Sequence, residues 1–393
     1  MPPAMSTFPL VRPYYMLAKP CGSACNLRCS YCYFLDKASG RMSDALLEQF
    51  IRDYIGSQPT EEVLFIWHGG EPLLMGLDFF KRVIRLQRQY GHGRHIDNAL
   101  QTNGTLLTAE TAEFLREHGF LVGISIDGPQ PLHDAFRRTR QGGATWDQVM
   151  RGIDLLQKYD VEWNAMATIN RLNADHPLAF YRFFKEIGCR YLQFTPIVEQ
   201  APDGRMTPET VLPEQWGRFL CTLFDDWVRC DVGTVFVEHF DATLACWCGV
   251  EPGICSFAPA CGLSMALQPD GEVYSCDHFV SPAYRLGNLR HTPLATLAFS
   301  PRQQIFGQAK GALLPLQCKQ CAYRFACNGG CPKDRFETGP SGSRNRTHAG
   351  VNYLCRGNLA YLKHVAPAMN FMRDEWQAGR PPAGIMQAGV FPT

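Results

Sequence analysis

From Tyr14 to Val198 the spacing of apolar residues switches repeatedly between the period of a strand and that of a helix. Short runs rich in β-branched and aromatic residues predict strands at Tyr14–Ala18, Val63–Trp67, Asn98–Thr102, Leu121–Ile126, Glu162–Thr168 and Tyr191–Thr195. Between them, Asp44–Tyr54, Asp78–Tyr90, Ala109–His118, Trp146–Lys158 and Pro177–Ile187 place apolar residues on one helical face. Strand and helix in alternation predict βα units around a parallel sheet, an α/β architecture. The composition changes after about residue 200, which favours six such units over a complete eight-stranded barrel. Further on, Met265–Gln268 and Glu272–Ser275 flank Pro269-Asp270-Gly271 and predict a hairpin.

At 393 residues the chain has room for a barrel domain and a smaller appended one, divided at 1–235 and 236–370 with a tail at 371–393. A formal net charge of +1 implies no broad attraction to nucleic acid or to an acidic membrane surface. No uninterrupted apolar stretch approaches the roughly 20 residues of a membrane span. Seventeen cysteines would suit a secreted disulfide protein. However, Met1 to Lys19 holds prolines and polar residues where a signal peptide needs an apolar core. Reduced thiols in the cytoplasm are the expectation, and these are free to act as ligands.

The densest group is Cys25-Asn-Leu-Arg-Cys29-Ser-Tyr-Cys32, followed by Tyr33 and Phe34. Thiolates are the ligands that iron–sulfur clusters require, and three of them leave one iron of a four-iron cube open. A zinc knuckle or a redox thiol pair is the alternative for so short a motif. Cys21 lies outside the three-cysteine frame and reads as an incidental thiol. After the second strand, His68-Gly69-Gly70-Glu71-Pro72 offers two glycines for close backbone approach and a carboxylate to accept from an ammonium; an ordinary turn has the same letters. Gln101-Thr102-Asn103-Gly104 and Ser125-Ile126-Asp127-Gly128 follow the next two strands. They place amides, hydroxyls and a carboxylate at the carboxyl-terminal rim, where barrel chemistry gathers. Asp127 could equally cap the turn that follows it.

These motifs resemble those of the radical S-adenosylmethionine (SAM) enzymes. The resemblance implies a partial (β/α)6 barrel and a SAM-binding [4Fe-4S] cluster on Cys25, Cys29 and Cys32, its open iron chelated by the amino and carboxylate groups of SAM. It further implies that Gly69, Gly70 and Glu71 meet the SAM amino group, Ser125 the ribose and Arg137 the SAM carboxylate. Phe34, Gln101 and Asn103 are the remaining cofactor contacts expected on this basis.

The back half holds a second set of cysteines: Cys255, Cys261, Cys276, then Cys318-x2-Cys321-x5-Cys327-x3-Cys331, and Cys355. Eight thiolates suffice for two fully ligated cubes. A zinc ribbon could use the central four but leaves the outer four unexplained. The spacing is similar to the SPASM extension of peptide-modifying radical SAM enzymes. That resemblance implies one auxiliary cluster on Cys255, Cys261, Cys276 and Cys331 and another on Cys318, Cys321, Cys327 and Cys355, three clusters in all. Cys189, Cys221, Cys230, Cys246 and Cys248 match no ligand position, although Cys246 and Cys248 stand close in sequence to the first auxiliary set.

Asp277 directly follows Cys276 in Tyr274-Ser275-Cys276-Asp277-His278-Phe279-Val280. Burial and a negative cluster would raise its pKa and poise it to accept a proton; otherwise it hydrogen-bonds the hairpin backbone. The segment resembles that of the anaerobic sulfatase-maturating enzymes, as do Leu192–Glu199 and Tyr284–Leu289. The resemblance implies that Asp277 is a catalytic base. It also implies reductive cleavage of SAM to methionine and a 5′-deoxyadenosyl radical, which takes a β-hydrogen from a cysteine or serine in a sulfatase peptide. Cα-formylglycine is the product, and the second electron leaves towards the auxiliary clusters. An electron donor such as flavodoxin or ferredoxin is then a required partner. A peptide modifier forming thioether or carbon–carbon crosslinks would share every assigned cysteine. A non-catalytic zinc or cluster protein would leave the strand-end motifs without a purpose.

Overall fold

Strand and helix alternate as the spacing predicts, and the computed structural model describes residues 12–35, 37–338, 344–346, 348–389 and 391. Residues 1–11, which bear on the signal-peptide expectation, lie outside these. The barrel elements in chain order are β1 (Tyr15–Ala18), α1 (Asp44–Ser57), β2 (Glu62–Trp67), α2 (Leu77–Tyr90), β3 (His95–Thr102), α3 (Ala109–Glu117) and β4 (Phe120–Ser125). They continue with α4 (Gln130–Phe136), α5 (Trp146–Lys158), β5 (Trp163–Ile169), α6 (Pro177–Glu186), β6 (Tyr191–Pro196), α7 (Pro213–Cys230), β7 (Phe236–Val237) and α8 (Glu238–Cys248). Strands β1 to β7 pair in parallel with their sequence neighbours. The two-residue β7 extends the six strands read from the sequence.

Local chemistry explains the helix starts. Ser43 accepts a hydrogen bond from the Leu46 amide, and Thr108 from that of Thr111, so each satisfies an otherwise orphaned donor. Helix α1 then buries Leu46, Leu47, Phe50, Ile51, Tyr54 and Ile55 at helical spacing against β1 and β2. Phe50, Tyr54, Phe65 and Trp67 meet edge-on or stacked beneath that helix. Each such buried side chain contributes roughly 1.5–3 kcal/mol.

The later elements are β8 (Ser264–Leu267), β9 (Glu272–Tyr274), β10 (Arg285–Asn288), α9 (Leu294–Ala298), α10 (Pro301–Ala312), α11 (Leu316–Lys319) and α12 (Arg324–Cys327). After them come β11 (Arg335–Thr338), β12 (Arg344–Arg346), β13 (Val351–Asn352), α13 (Cys355–Gln377) and α14 (Ile385–Ala388). The hairpin β8–β9 does not stand apart from the barrel. β8 pairs in parallel with β1, giving one sheet in the order β10-β9-β8-β1-β2-β3-β4-β5-β6-β7. Gly271, at φ +90°, makes the turn between β8 and β9 and sends Cys276 towards the rim of the barrel.

The expected tail at 371–393 needs correction, because α13 runs through residue 371 to Gln377. Tyr361, Leu362, Val365, Ala368, Met369 and Met372 form one continuous buried face along it. The helix packs on α7, where Gly217 and Gly357 let the backbones touch; a Cβ on Gly357 would lie 2.1 Å from the Pro213 carbonyl oxygen. No helix among the described residues is long and apolar enough to cross a membrane.

Candidate active site

The loop after β1 is laid against the end of β2 by backbone hydrogen bonds. His68 N donates to Ala18 O, Gly70 N to Gly22 O and Glu71 N to Ala24 O. Gly70 is obligatory for this, since a Cβ there would lie 2.0 Å from the Ala24 carbonyl oxygen. The glycine pair thus admits the chain's own cysteine loop, where the sequence reading expected a ligand. Cys25, Cys29 and Cys32 follow at once, with Leu27 N donating to Cys25 Sγ at 3.3 Å and Cys32 N to Cys29 O at 3.2 Å. The Cys29 thiol is pushed up to about 11 by burial, with Cys32 and Cys25 close enough to add to the shift.

All seventeen cysteines are free thiols. Among the described residues no three thiols, imidazoles or carboxylates converge on a point as a single ion would require. A four-iron cube takes its thiolates at separate corners, and the thiols group in that way. Cys276 interacts with Cys331 and Cys255, and Cys255 lies near Cys261. Cys355 faces Cys327, Cys318 and Cys321. The two sets implied for the auxiliary clusters are therefore brought together in space as two sets. Cys246 sits by Cys327 of the second set, and not by the first as its sequence position suggested. Cys21 is buried, donates to Glu71 O at 3.3 Å and is pushed up to about 11 by burial, so it stays an incidental thiol.

Glu71 is wholly buried, and its carboxylate accepts from Leu73 N, Thr102 Oγ1 and Asn103 N at 2.8–2.9 Å. A carboxylate offers about four acceptor positions, which leaves one for an ammonium. Asn103 Nδ2 donates to Asn26 Oδ1 at 2.9 Å and approaches Cys25 Sγ at 3.7 Å, tying β3 to the cysteine loop. Gln101 Nε2 donates to Ser125 Oγ at 3.0 Å, so both lie side by side in the barrel interior. Arg137 Nε stands 3.1 Å from Asp127 Oδ2, with the side chain 10% exposed. Asp127 in turn accepts from Thr168 Oγ1 and from Tyr31. It is a fixed counter-ion that aims Arg137. Phe34 is 2% exposed and packs against Ala266 and Val280 of the hairpin region.

Asp277 lies at the seam between barrel and hairpin. Tyr33 Oη donates to Asp277 Oδ2 at 2.7 Å, and Lys19 Nζ is 3.8 Å from the same oxygen. Among the protein groups alone, burial pushes the Asp277 carboxyl up, while His278, Lys19, His68 and the Tyr33 hydrogen bond pull it below the usual carboxylate range. The imidazole of His68 is itself pushed down to about 3 by burial and by Lys19. Lys19, His68 and His278 escaped the sequence reading. Lys19 follows β1 and His68 follows β2, so the rule that strand ends face the chemistry would have found both.

Residues 20–184 match the radical SAM superfamily, and residues 255–322 match an iron–sulfur cluster-binding domain named SPASM. The chain is 49% identical to a serine-type anaerobic sulfatase-maturating enzyme of Bacteroides thetaiotaomicron, covering 97% of this chain and 96% of that one. It belongs to the anaerobic sulfatase-maturating enzyme family. A cysteine-type member from Clostridium perfringens is 31% identical over 91% of this chain and 97% of its own. The solved structure of native anSMEcpe with bound AdoMet and Cp18Cys peptide superposes with a TM-score of 0.85 at 30% identity, over 93% of this chain and 99% of that one. The protein is accordingly a radical SAM enzyme whose cofactors are SAM, a four-iron cluster and auxiliary iron–sulfur clusters.

Proposed function

We propose that this enzyme oxidises the side chain of a serine or cysteine in a sulfatase polypeptide to Cα-formylglycine, and so activates sulfatases after translation. The placement of Asp277 carries the reading: an ionised carboxylate bonded by Tyr33 from the first cysteine loop and joined directly to Cys276 of the back half. The greater identity to a serine-type relative, 49% against 31% for a cysteine-type one, favours serine.

The residues present suit the cofactors. Cys25, Cys29 and Cys32 would hold the SAM cluster, Arg137 the SAM carboxylate through its guanidinium fork, and Glu71 the ammonium with its remaining acceptor position. The eight later cysteines would hold two auxiliary clusters in the sets given above. When bound, SAM and these clusters supply the hydrogen-abstracting radical and the electron acceptor. The chain's own residues manage the proton and the orientation. Asp277 accepts the hydroxyl or thiol proton of the substrate, while Tyr33 and Lys19 keep the carboxylate ionised and facing the rim. Gln101 and Ser125 line the same interior and orient the nucleotide. The division into a SAM-cleaving part, 1–235, and a part from 236 onward that takes the second electron belongs to the same proposal, as do a small electron-transfer protein as donor and a cytoplasmic location, with which the free thiols agree.

The test is anaerobic incubation of the reconstituted, prereduced enzyme with SAM and a sulfatase-derived peptide carrying serine. Loss of two hydrogens together with capture of an aldehyde by a hydrazide reagent supports the reading. Loss of two hydrogens without a reactive aldehyde would instead mark a crosslink and overturn it.

A further inference from the structure

Among the described residues, two cations are buried in the cysteine-rich half without an acidic partner. Arg335 is fully buried, and all five of its N–H groups donate to backbone carbonyls: Gly329 at 3.0 Å, Lys310 at 2.7 Å, His348 at 2.9 Å, Asn328 at 3.0 Å and Gly330 at 3.4 Å. Lys310 is also fully buried, and its Nζ donates to the carbonyls of Cys255 at 2.5 Å, of Ser256 at 2.9 Å and of Ala258. Among the described residues the ionisable groups near Lys310 include Cys255, Cys261, Cys331, Cys327, Cys246 and Arg335, and those near Arg335 include Cys318, Cys331, Cys261, Cys327, Lys310 and His348. Burying two positive charges with only carbonyl dipoles around them is costly unless an anion answers them.

The carbonyls that Arg335 grips have a particular position. Asn328, Gly329 and Gly330 form the turn between Cys327, of one auxiliary set, and Cys331, of the other. This three-residue turn is the shortest covalent path between the two sets. All three residues are left-handed, at φ 45°, 73° and 61°, a run that L side chains rarely adopt. A Cβ on Gly329 would lie 2.7 Å from Arg335 Nη2, so the turn and the guanidinium are built against each other. The Gly330 amide meanwhile donates to Cys327 O at 2.8 Å, which closes the turn directly behind that cysteine.

We propose that Arg335 is a positioning residue that spaces the two auxiliary clusters through the 328–330 turn, and that its charge and that of Lys310 favour the reduced state of both clusters. A thiolate-ligated cube gains negative charge on reduction, so a buried cation nearby stabilises the reduced form and raises its potential. The inference rests on the assignment of the eight later cysteines as cluster ligands.

The experiment uses the full chain with Cys25, Cys29 and Cys32 replaced by Ala, so that only auxiliary signals remain, reconstituted anaerobically and titrated by electron paramagnetic resonance. Arg335→Met should shift the reduction equilibrium of at least one cluster about tenfold towards the oxidised form, about 59 mV for a single electron. Arg335→Lys should recover much of the potential while changing the magnetic interaction between the clusters, because it restores charge without the five-fold clasp. Should Arg335→Met fail to retain iron, Lys310→Met tests the charge separately, with the same direction of shift expected. Unchanged potentials in iron-replete Arg335→Met and Lys310→Met would overturn the proposal. An absence of iron from the parent protein lacking Cys25, Cys29 and Cys32 would instead refute the ligand assignment beneath it.

Discussion

Lys19 Nζ lies 3.8 Å from Asp277 Oδ2, and the ammonium is buried with no hydrogen-bond partner among the described residues. It sits 4.1 Å over the ring of Phe34, with the Asp277 carboxylate, the His68 imidazole and the thiols of Cys276, Cys32 and Cys21 nearby. Parallel pairing of β1 with β8, continued by Lys19 N donating to Leu267 O at 2.9 Å, makes this meeting possible. Lys19→Met leaves the carboxylate with less positive charge. Thermal stability should fall by about 3 kcal/mol, and aldehyde formation should slow roughly a hundredfold, with iron content retained. Normal turnover in Lys19→Met, followed by peptide mass spectrometry, would dissociate the lysine from the base.

Gly70→Ala probes the seat of the cysteine loop. Its Cβ must displace the Ala24 carbonyl, which stands 2.0 Å from the ideal position. Overpacking of this kind costs about 1–3 kcal/mol. The expected result is loss of iron from the Cys25, Cys29 and Cys32 set alone, with the auxiliary signals preserved in spectroscopy of the reconstituted variant.

Metal content gives a count. Three cubes correspond to about twelve irons per chain, and replacing Cys25, Cys29 and Cys32 with Ala should remove about four. A reconstituted wild type holding only about four would eliminate the auxiliary assignment.

The buried Glu71 carboxyl predicts a pH dependence. Burial pushes it up from 4.5 to about 7, against hydrogen bonds from Asn103, Leu73 and Thr102 that pull it down. Between these values the folded state binds the proton more tightly than the unfolded chain. Its contribution to stability is therefore complete below about 4.5 and is lost as pH rises through about 7. Glu71→Gln has no charge to bury, so in SAM-free protein its Tm relative to wild type should rise between about pH 5 and pH 8. A Tm difference that is flat with pH would contradict the burial argument.

Periodicity alone located the six main strands, because each βα unit repeats the same burial demand. The Trp146–Lys158 helix was legible to the residue. What spacing could not reveal was pairing between distant segments. The return of β8 to β1 and the meeting of Tyr33 with Asp277 depend on tertiary register. The cysteines were legible as two later sets only through resemblance, since their spacing permits other groupings. The packing of Phe34 on Ala266 and Val280 and the bond from Asn103 to Asn26 were not legible, because an aromatic or an amide at the rim can serve the chain's own packing as well as a ligand. Lys310 and Arg335 gave no signal in sequence, for a buried cation looks like a surface one until its carbonyl partners are known. The second domain was ended too early because Pro367 obscures a helical period that continues to Met372.

The most direct test of the account is to measure deoxyadenosine and aldehyde in the same anaerobic reaction of Asp277→Asn with SAM, a reductant and a sulfatase-derived peptide. Deoxyadenosine release should persist while aldehyde falls by about 10²–10⁴-fold, the weight of a lost general base. Aldehyde formed at the wild-type rate in that variant would remove Asp277 from the mechanism.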